Sequence, residues 1–511
     1  MSDKEYKVRA SHCDHRAGED EIYEVLKRTT DPLDRSWTKL QKARKVVLKF
    51  NMIKPHERIE YFAGRRRELV DDAVARAVLR LLQERTDAEL IATDTYPYGN
   101  GNVTPDDFNY RHILDDFAVR YVDSNLPPFA TFAVPGGGTM FDRYTLNAVF
   151  AEADEVVSIA KMKNHAFMGI TLTLKNLFGL PPMIPPQGRT RSYYHHLIRL
   201  SYVLPDLGLI TRPCLNIVDA LTGQWGREWG GEGRICNALL AGDHTVATDV
   251  CGMALMGHDP KSDWPTPPFR RDRNHLLIAA QRGFGPLEFD EIDFKSEVTG
   301  PLAEFDSVST DAGETVASWR RTTCEQGLIY RDEQSEIIDR YRGQFIYMQD
   351  GQVVWNGDDP SNLGSRRDLS GDRKDSALWL KYVDPMRARA SASSATTSAS
   401  SWLRKIWHAS PRLGYRWDGD KGRARRYGIG PATRGALPAA YPASGHPTGR
   451  RQDRRRGRRS LRLARAHRLR RPGGDPRRNR SHCRQCRCRV GRNRCPDVIR
   501  AGYGLPLCYS Q

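Results

Sequence analysis

Three consecutive stretches decide the fold class: KVVLKFNM (residues 45–52), RRELVDDAVARAVLRLLQER (66–85) and ELIATD (89–94). The first and third are short, apolar and rich in β-branched residues, which indicates buried strands. In the second, apolar residues recur every three or four positions, as on the buried face of a helix. A strand, a helix and a strand at this spacing predict a βαβ unit, in which both strands lie parallel in one sheet.

The alternation continues beyond this unit, so the sequence predicts an α/β fold with a mostly parallel sheet flanked by helices. The predicted strands are FATFAV (129–134), EVVSIAKM (155–162), CLNIVDAL (214–221) and CNALLAGD (236–243). The predicted helices are ILDDFAVRYV (113–122), RYTLNAVFAEA (143–153), MGITLTLKNLFG (168–179) and HTVATDVCGMALMG (244–257). Beyond residue 260 the pattern weakens to a helix at 274–282 and the stretch FIYMQDGQVVWN (345–356), whose central Asp-Gly predicts a hairpin.

Composition divides the chain into four parts: an N-terminal extension (1–44), an α/β core (45–260), a smaller C-terminal α+β portion (261–385) and a tail (386–511). The tail carries 32 Lys and Arg residues against 5 Asp and Glu, whereas the whole chain carries 80 against 62. The positive net charge of the chain therefore belongs to the tail, and residues 1–385 are mildly acidic. Statements about charged partners must be made separately for the two parts.

The tail opens with the low-complexity stretch ASASSATTSAS and continues as Arg-rich sequence with almost no apolar periodicity, which predicts disorder. One hypothesis makes it a basic arm that binds nucleic acid through phosphate contacts. The other, which its Arg-rich and Lys-poor composition favours, makes it the translation product of a frameshift in a GC-rich gene. Its five cysteines lack the spacing of known zinc or iron–sulfur motifs.

The rest of the composition predicts a cytoplasmic protein without a membrane span. No apolar run reaches eighteen residues, and the N-terminus lacks the apolar region of a secretory signal. The five cysteines of residues 1–385 are scattered, which is typical of small buried side chains rather than of a disulfide framework.

Polar side chains stand where several predicted strands end. Lys49 and Asn51 close the first strand, Asp94 the second, and Lys161 and Asp219 two later ones. Because ligands bind outside the carboxyl ends of the strands in open α/β sheets, these residues are expected to converge on one rim. We expect Lys49, Asn51 and Lys161 to bind substrate, and Asp94 and Asp219 to orient lysines or to bind a divalent cation.

The stretch KMKNHAFMGITLTLKNLFG (161–179) adds the candidate catalytic residues Lys163, His165 and Lys175. His165 is the expected acid or base, because the ordinary pKa of histidine lies near physiological pH. Lys175 and Asn176 stand within otherwise apolar sequence, where a merely solvated charge is not expected. Three further residues complete the candidate site: His195 and His196 as substrate ligands and Asp249 as a metal ligand.

These motifs, in this order along residues 45–260, resemble the family of domain-of-unknown-function 362 (DUF362) proteins. The most specific part is the Lys-x-Lys-x-His and Leu-Lys-Asn-x-x-Gly pattern between Lys161 and Gly179. The family is distantly similar to the α/β half of nickel-pincer lactate racemases. Some of its members carry ferredoxin-type iron–sulfur modules, and this sequence has no such motif.

Three classes of function follow. The leading hypothesis is an enzyme that acts on a small anionic metabolite, a carboxylate or a phosphorylated compound, by racemase-like or redox-associated chemistry. The alternative is a metal- or iron–sulfur-associated accessory protein without turnover of its own, and the third is nucleic-acid binding through the tail. The substrate and any cofactor stay undefined, a divalent metal and a homodimer stay open, and no membrane partner is expected.

Overall fold

A computed structural model describes residues 4–52, 58–95, 109–183, 191–309, 311–358, 377–384, 415–418 and 423–426. The strands are β1 (Tyr6–His12), β2 (Lys45–Phe50), β3 (Tyr61–Phe62), β4 (Arg65–Arg66), β5 (Glu89–Asp94), β6 (Arg120–Asp123), β7 (Phe129–Ala133), β8 (Arg143–Asn147), β9 (Glu155–His165), β10 (Gly169–Thr171), β11 (Leu215–Trp225), β12 (Glu232–Gly242), β13 (Ile292–Ser296), β14 (Phe345–Gln349), β15 (Gln352–Gly357), β16 (Trp379–Tyr382), β17 (Tyr415–Asp418) and β18 (Arg423–Arg426). The helices are α1 (Glu19–Thr30), α2 (Asp34–Leu40), α3 (Asp72–Arg85), α4 (Arg111–Asp116), α5 (Val149–Glu152), α6 (Thr173–Asn176), α7 (Arg191–His195), α8 (Leu200–Thr211), α9 (Thr245–Leu255), α10 (His275–Gln281), α11 (Gly313–Asp332) and α12 (Gln334–Tyr341).

The main sheet has the strand order β13-β1-β12-β11-β9-β2-β5-β6, with β10 paired to β9. The neighbours from β11 to β6 run parallel, and β12 lies antiparallel to both β11 and β1. One apolar layer packs α1 to α4 against one face of this sheet, and a second packs α8, α9 and α10 against the other. The predicted fold class, a mostly parallel sheet between helices, is therefore confirmed.

Several predicted elements have the predicted type, among them α3, α9, α10 and the strands β2, β5, β7, β9, β11 and β12. The hairpin of β14 and β15 forms around Asp350 and Gly351, both with positive φ (48° and 81°), as a tight Asp-Gly turn requires. A third antiparallel strand, β16, completes this small sheet on the other side of β14.

Three of the predicted helices are wrong over much of their length. Residues 113–122 contain the end of α4 and then β6; residues 143–153 contain β8 and then α5. Residues 168–179 form β10, one turn of α-helix and one turn of 3-10 helix. In the first two stretches, a strand and a short helix share one apolar segment, and in residues 168–179 almost every side chain is buried; in neither case does apolar periodicity distinguish a helix from a strand.

The N-terminal residues lie inside the main sheet rather than outside the fold. β1 pairs antiparallel with β12 and parallel with β13, and α1 packs against α3 across the sheet face. The sequence predicted an extension here because the first forty residues are mostly polar. That composition reflects the exposed faces of α1 and α2, whose other faces are buried.

The predicted disordered tail lies outside the described residues, apart from β17 and β18, which pair antiparallel. No helix in the described part of the chain is long and apolar enough to cross a membrane.

Candidate functional site

The strand β9 extends further than its apolar core and includes every residue from Lys161 to His165. The sequence predicted that these residues bridge a strand and a helix. Alternation along a strand gives every second side chain the same direction. Lys161, Lys163 and His165 therefore follow one another along one face of the sheet, toward its carboxyl edge.

At the neighbouring strand ends, Lys49 and Asp94 form a buried ion pair. The Lys49 Nζ lies 2.8 Å from Asp94 Oδ2 and also donates to the Phe50 carbonyl (2.6 Å) and to Asn176 Oδ1 (3.0 Å). Burial lowers the pKa of Lys49 and raises the pKa of Asp94. Three acceptors satisfy the three protons of this ammonium group, so Lys49 is positioned to support the rim rather than to bind a further ligand.

Asn176 connects the strands β2 and β9 behind this pair. Its amide nitrogen donates to the carbonyls of Lys49 (2.8 Å) and Ile159 (3.1 Å), and its oxygen accepts from Lys49 Nζ. Gly179 packs against the same pair: a Cβ added there would overlap Asp94 Oδ1 and lie 2.5 Å from Lys49 Cε. The glycine of the Leu-Lys-Asn-x-x-Gly pattern is therefore required for space, since its φ does not lie in the left-handed region.

Lys161 and Asp219 form a second pair, from the parallel neighbours β9 and β11. Lys161 Nζ lies 3.0 Å from Asp219 Oδ2 and 3.1 Å from Thr222 Oγ1, and both members are fully buried. Asp219 also accepts from the backbone of Asp71 (2.8 Å) and Leu221 (3.1 Å), and burial raises its pKa. The predicted convergence of four strand-end residues thus takes the form of two separate ion pairs.

Asp249 lies within α9, where it caps the N-terminus of α6. Its two oxygens accept from the backbone of Thr173 and Leu174, both at 2.8 Å, and from the Thr173 hydroxyl at 2.6 Å. Burial raises the pKa of Asp249 to about 7. The cap fixes the turn that carries Lys175 and Asn176.

The three carboxylates predicted as metal ligands, Asp94, Asp219 and Asp249, are each engaged with a different partner. Within the described ranges, no group of three His, Cys, Asp or Glu side chains is arranged to hold a metal ion. Their role in metal binding stays a prediction.

Lys163 continues the face of β9 beyond the ion pairs. Its Nζ donates to the Glu68 carbonyl (2.6 Å) and approaches the Glu228 carbonyl (3.4 Å), with the Trp229 ring centre at 4.5 Å. The Lys163 ammonium is therefore held by backbone carbonyls and by the face of an aromatic ring on the same side of the sheet as Lys161 and His165.

His165 is held as a neutral imidazole with a defined tautomer. Its Nδ1 accepts from the backbone of Phe167 (3.1 Å) and Met168 (3.3 Å), so the ring proton is on Nε2. Glu228 Oε2 lies 3.6 Å from the same Nδ1 and accepts from the Ala166 backbone at 3.0 Å. Because the Nδ1 of this tautomer carries no proton, it cannot donate a hydrogen bond to Glu228. Burial, together with Lys175 and Lys163, lowers the pKa of His165 well below its usual value.

Lys175 differs from the other three lysines because no hydrogen-bond acceptor for its Nζ lies within the described part of the chain. The residue is 8% exposed, and its ammonium lies 5.2 Å from the centre of the Phe178 ring. Burial, with a smaller contribution from Arg191, lowers the pKa of Lys175 to about 7, although Glu228 acts in the opposite direction. A lysine with this pKa is about half neutral at pH 7.

The Phe178 ring organises the basic groups around Lys175. Arg191 Cζ and the His195 ring centre each lie 5.2 Å from the ring centre of Phe178. His195 in turn lies 5.4 Å from Phe167, and burial lowers its pKa well below the usual value. We call Lys163, His165, Lys175, Arg191 and His195 the basic cluster.

Three further residues belong to this region and were not predicted. Arg271 stacks on Phe167 (3.8 Å) and lies 3.1 Å from Asp311. His275 is fully buried, with neither ring nitrogen hydrogen-bonded to a described residue, and its pKa is lowered to about 3 by burial and by Lys175. Glu228 is the third. Arg271 and Glu228 stand among other charged residues, and His275 stands at the start of the predicted helix at 274–282, so no sequence signal marked the three as site residues.

Two predicted substrate ligands have other surroundings. The His196 Nε2 lies 2.9 Å from the Leu378 carbonyl and 3.3 Å from the Leu380 backbone nitrogen, next to β16, which favours a structural role. Asn51 bonds through its backbone to Ile159 and Val70, while its side-chain oxygen is buried without a hydrogen bond from any described residue.

Fold and site together define an α/β protein with a basic, partly desolvated cluster at the carboxyl edge of its sheet. Residues 46–254 match the model of the family described as domain of unknown function (DUF362), so the predicted family is confirmed for this part of the chain.

Two further proteins are similar to this chain. The thylakoid-associated protein sll1697 of Synechocystis sp. is 24% identical over 223 residues, which are 41% of this chain and 66% of that protein. The lactate racemase apoprotein from Thermoanaerobacterium thermosaccharolyticum is similar with a TM-score of 0.29 and 13% identity, over 49% of this chain and 56% of that one. In each case, the match leaves a third or more of the other protein's length uncovered.

Proposed function

We propose that the protein is an enzyme that binds a small anionic metabolite, a carboxylate or a phosphate ester, in the basic cluster. The observation that carries the proposal is the Lys175 ammonium, which is nearly buried and has no acceptor within the described part of the chain. Desolvating a cation without an acceptor is costly, and an anionic ligand would offset that cost.

The charge around Lys175 supports an anion rather than a cation. Arg191, Lys163 and Lys49 lower the pKa of Lys175 and Glu228 raises it, while Lys49 itself is paired with Asp94. These cations act on Lys175 in a partly desolvated environment, where electrostatic attraction to an anion is stronger than in water.

The two buried ion pairs would act as the frame of this site. Lys49 with Asp94 connects β2 and β5, and Lys161 with Asp219 connects β9 and β11, which would hold β9 and α6 in position. In this proposal His165 carries its proton on Nε2 as a hydrogen-bond donor to the ligand. Lys175, near half ionisation at pH 7, would take the role of acid or base that the sequence predicted for His165.

Binding of simple anions tests the proposal. Isothermal titration of the full-length protein with phosphate, lactate and pyruvate is expected to show binding of at least one anion, weakened about tenfold or more in Lys175→Ala. Lys261→Ala is the matched control. Lys261 is exposed, forms an ion pair with Glu288 (2.7 Å) and does not belong to the basic cluster. Equal affinities in both variants, or no binding of any anion by the wild-type protein, would contradict the proposal.

The proposal includes a cytoplasmic location and a soluble small-molecule substrate. The name of the Synechocystis relative gives an association with thylakoids for that protein. Fractionation of the native host, with immunodetection in soluble and membrane fractions, would distinguish a cytoplasmic location from a peripheral membrane association.

A further inference from the structure

The Lys175 side chain combines three properties that a lysine needs to act as a nucleophile. It is nearly buried, it has no hydrogen-bond acceptor within the described ranges, and other cations surround it. Each property favours the neutral amine, whose lone pair is then available for attack on an electrophile. An exposed lysine in an ion pair, such as Lys261 with Glu288, has none of these properties.

The neighbouring Arg191 favours an electrophile that also carries a carboxylate. Its guanidinium and the Lys175 ammonium each lie 5.2 Å from the centre of the same Phe178 ring, and Arg191 has the largest effect of any charged neighbour on Lys175. Arginine binds carboxylates with two parallel hydrogen bonds. A ligand with a carbonyl carbon directly attached to a carboxylate would present both groups to these two neighbours.

We propose that Lys175 forms an imine with the carbonyl carbon of a small 2-oxo acid whose carboxylate is held by Arg191. The inference rests on the proposed function, since it names the substrate class and the covalent step for the same anion site.

The step balances with water as its only by-product. The neutral Nζ of Lys175 forms a bond to the carbonyl carbon, and the π electrons move to oxygen, which takes a proton released by the nitrogen. This carbinolamine then accepts a second proton on its hydroxyl, and the C–O bond breaks to release water. The product is a protonated imine, which draws electrons from the adjacent carbon and so acidifies its C–H bond.

The surrounding groups are consistent with this sequence of proton transfers. The Glu228 carboxylate lies in the turn after β11 and raises the pKa of Lys175. In this proposal it exchanges protons with the reacting oxygen. The imidazoles of His165 and His195 stay neutral, because burial and the cations lower the pKa of both. They therefore do not add further positive charge that would oppose the protonated imine.

Reductive trapping tests the imine directly. Full-length protein is incubated at pH 7 with pyruvate or with glyoxylate in the presence of cyanoborohydride, and the adduct is located by peptide mass mapping. A lysine with a pKa of about 7 is neutral roughly 10³ times more often at pH 7 than one at 10.5, so we expect a single adduct at Lys175 before any other lysine reacts. Lactate, which has no carbonyl, is expected to give none.

Two variants separate this inference from the proposed function. Lys175→Arg keeps the charge and cannot form an imine, so it is expected to lose the adduct while still binding pyruvate in the titration; Lys261→Arg is expected to react like the wild type. Failure of both oxo acids to label Lys175 in the wild-type protein overturns the imine, and anion binding in the same titrations would leave the proposed function intact. Loss of binding for every anion would instead remove the proposed function itself.

Discussion

Replacing Gly179 by alanine is expected to destabilise the protein through the buried pair of Lys49 and Asp94. The added Cβ would overlap Asp94 Oδ1 and lie 2.5 Å from Lys49 Cε and 2.7 Å from its Nζ. The backbone cannot retreat freely, because the Gly179 carbonyl accepts from the Thr95 backbone at 2.9 Å. Either the pair opens or the turn shifts.

The size of the effect follows from these two outcomes. Overpacking of a rigid interior costs about 1–3 kcal/mol, and separating the partners of a buried ion pair costs about 3–5 kcal/mol. Because the clash is with both members of the pair, we expect a loss of about 3 kcal/mol in the free energy of unfolding. Gly18→Ala is the control: no atom lies within 4 Å of the added Cβ and its φ is −70°, so only the preference for glycine over alanine at the N-cap of α1 is lost, and we expect a cost of about 1 kcal/mol or less.

Urea denaturation, followed by tryptophan fluorescence, measures both variants. A double-mutant cycle with Asp94→Ala locates the clash, since removal of the carboxylate opens the space that the new methyl group needs. Gly179→Ala should then cost at least 1 kcal/mol less in the Asp94→Ala background than in the wild type. A midpoint for Gly179→Ala equal to that of Gly18→Ala, or a cost unchanged by Asp94→Ala, would refute the steric argument.

Three other substitutions test the frame and the charges of the site, all by urea denaturation. Asn176→Ala removes the donors to the Lys49 and Ile159 carbonyls and is expected to cost about 2–4 kcal/mol; a cost below about 1 kcal/mol would show that the strands do not depend on this amide. Burial lowers the pKa of Lys175 to about 7, so between pH 7 and 10 the unfolded chain binds more protons than the folded protein. The free energy of unfolding of the wild type should therefore rise with pH by up to about 1.4 kcal/mol per pH unit relative to Lys175→Met. Parallel pH profiles for the two proteins would contradict this. Burial raises the pKa of Asp249 to about 7, so its contribution is present at pH 4 and is lost as the pH rises through 7, a loss that Asp249→Asn should not show. A wild-type profile that does not fall relative to Asp249→Asn over this range would indicate that Asp249 is ionised throughout.

The parallel sheet was predictable because it depends on strands that are buried on both faces. Stretches such as KVVLKF and LNIVDAL are mostly apolar and almost completely buried, and the intervening amphipathic helices have clear periodicity. The short elements were not predictable for the same reason: in residues 168–179 almost every side chain is buried, so the sequence contains no polar face from which a period could be determined.

The lysines and histidines of the site were predicted from their unusual positions within apolar sequence. The different surroundings of each lysine could not be predicted. Lys49, Lys161 and Lys175 have similar surroundings in the sequence, yet among the residues that the structure describes only the first two have carboxylate partners. The partner of Lys161 comes from a strand about sixty residues away, and Lys175 is affected by Arg191 from the start of α7 and by Glu228 from the turn after β11. Such contacts depend on the register of non-local strands, which no local pattern determines.

The position of β1 determines how the protein can be divided. The family match begins at residue 46, but β1 lies between β12 and β13, and its hydrogen bonds occupy the edge of β12 that a fragment of residues 46–254 would leave open. An uncovered, apolar strand edge is a template for pairing with another chain. The matched segment therefore lacks strands that complete its sheet. Produced alone, it is expected to aggregate or to exchange strands between molecules. Adding residues 4–44 and 255–296 should restore a monodisperse protein.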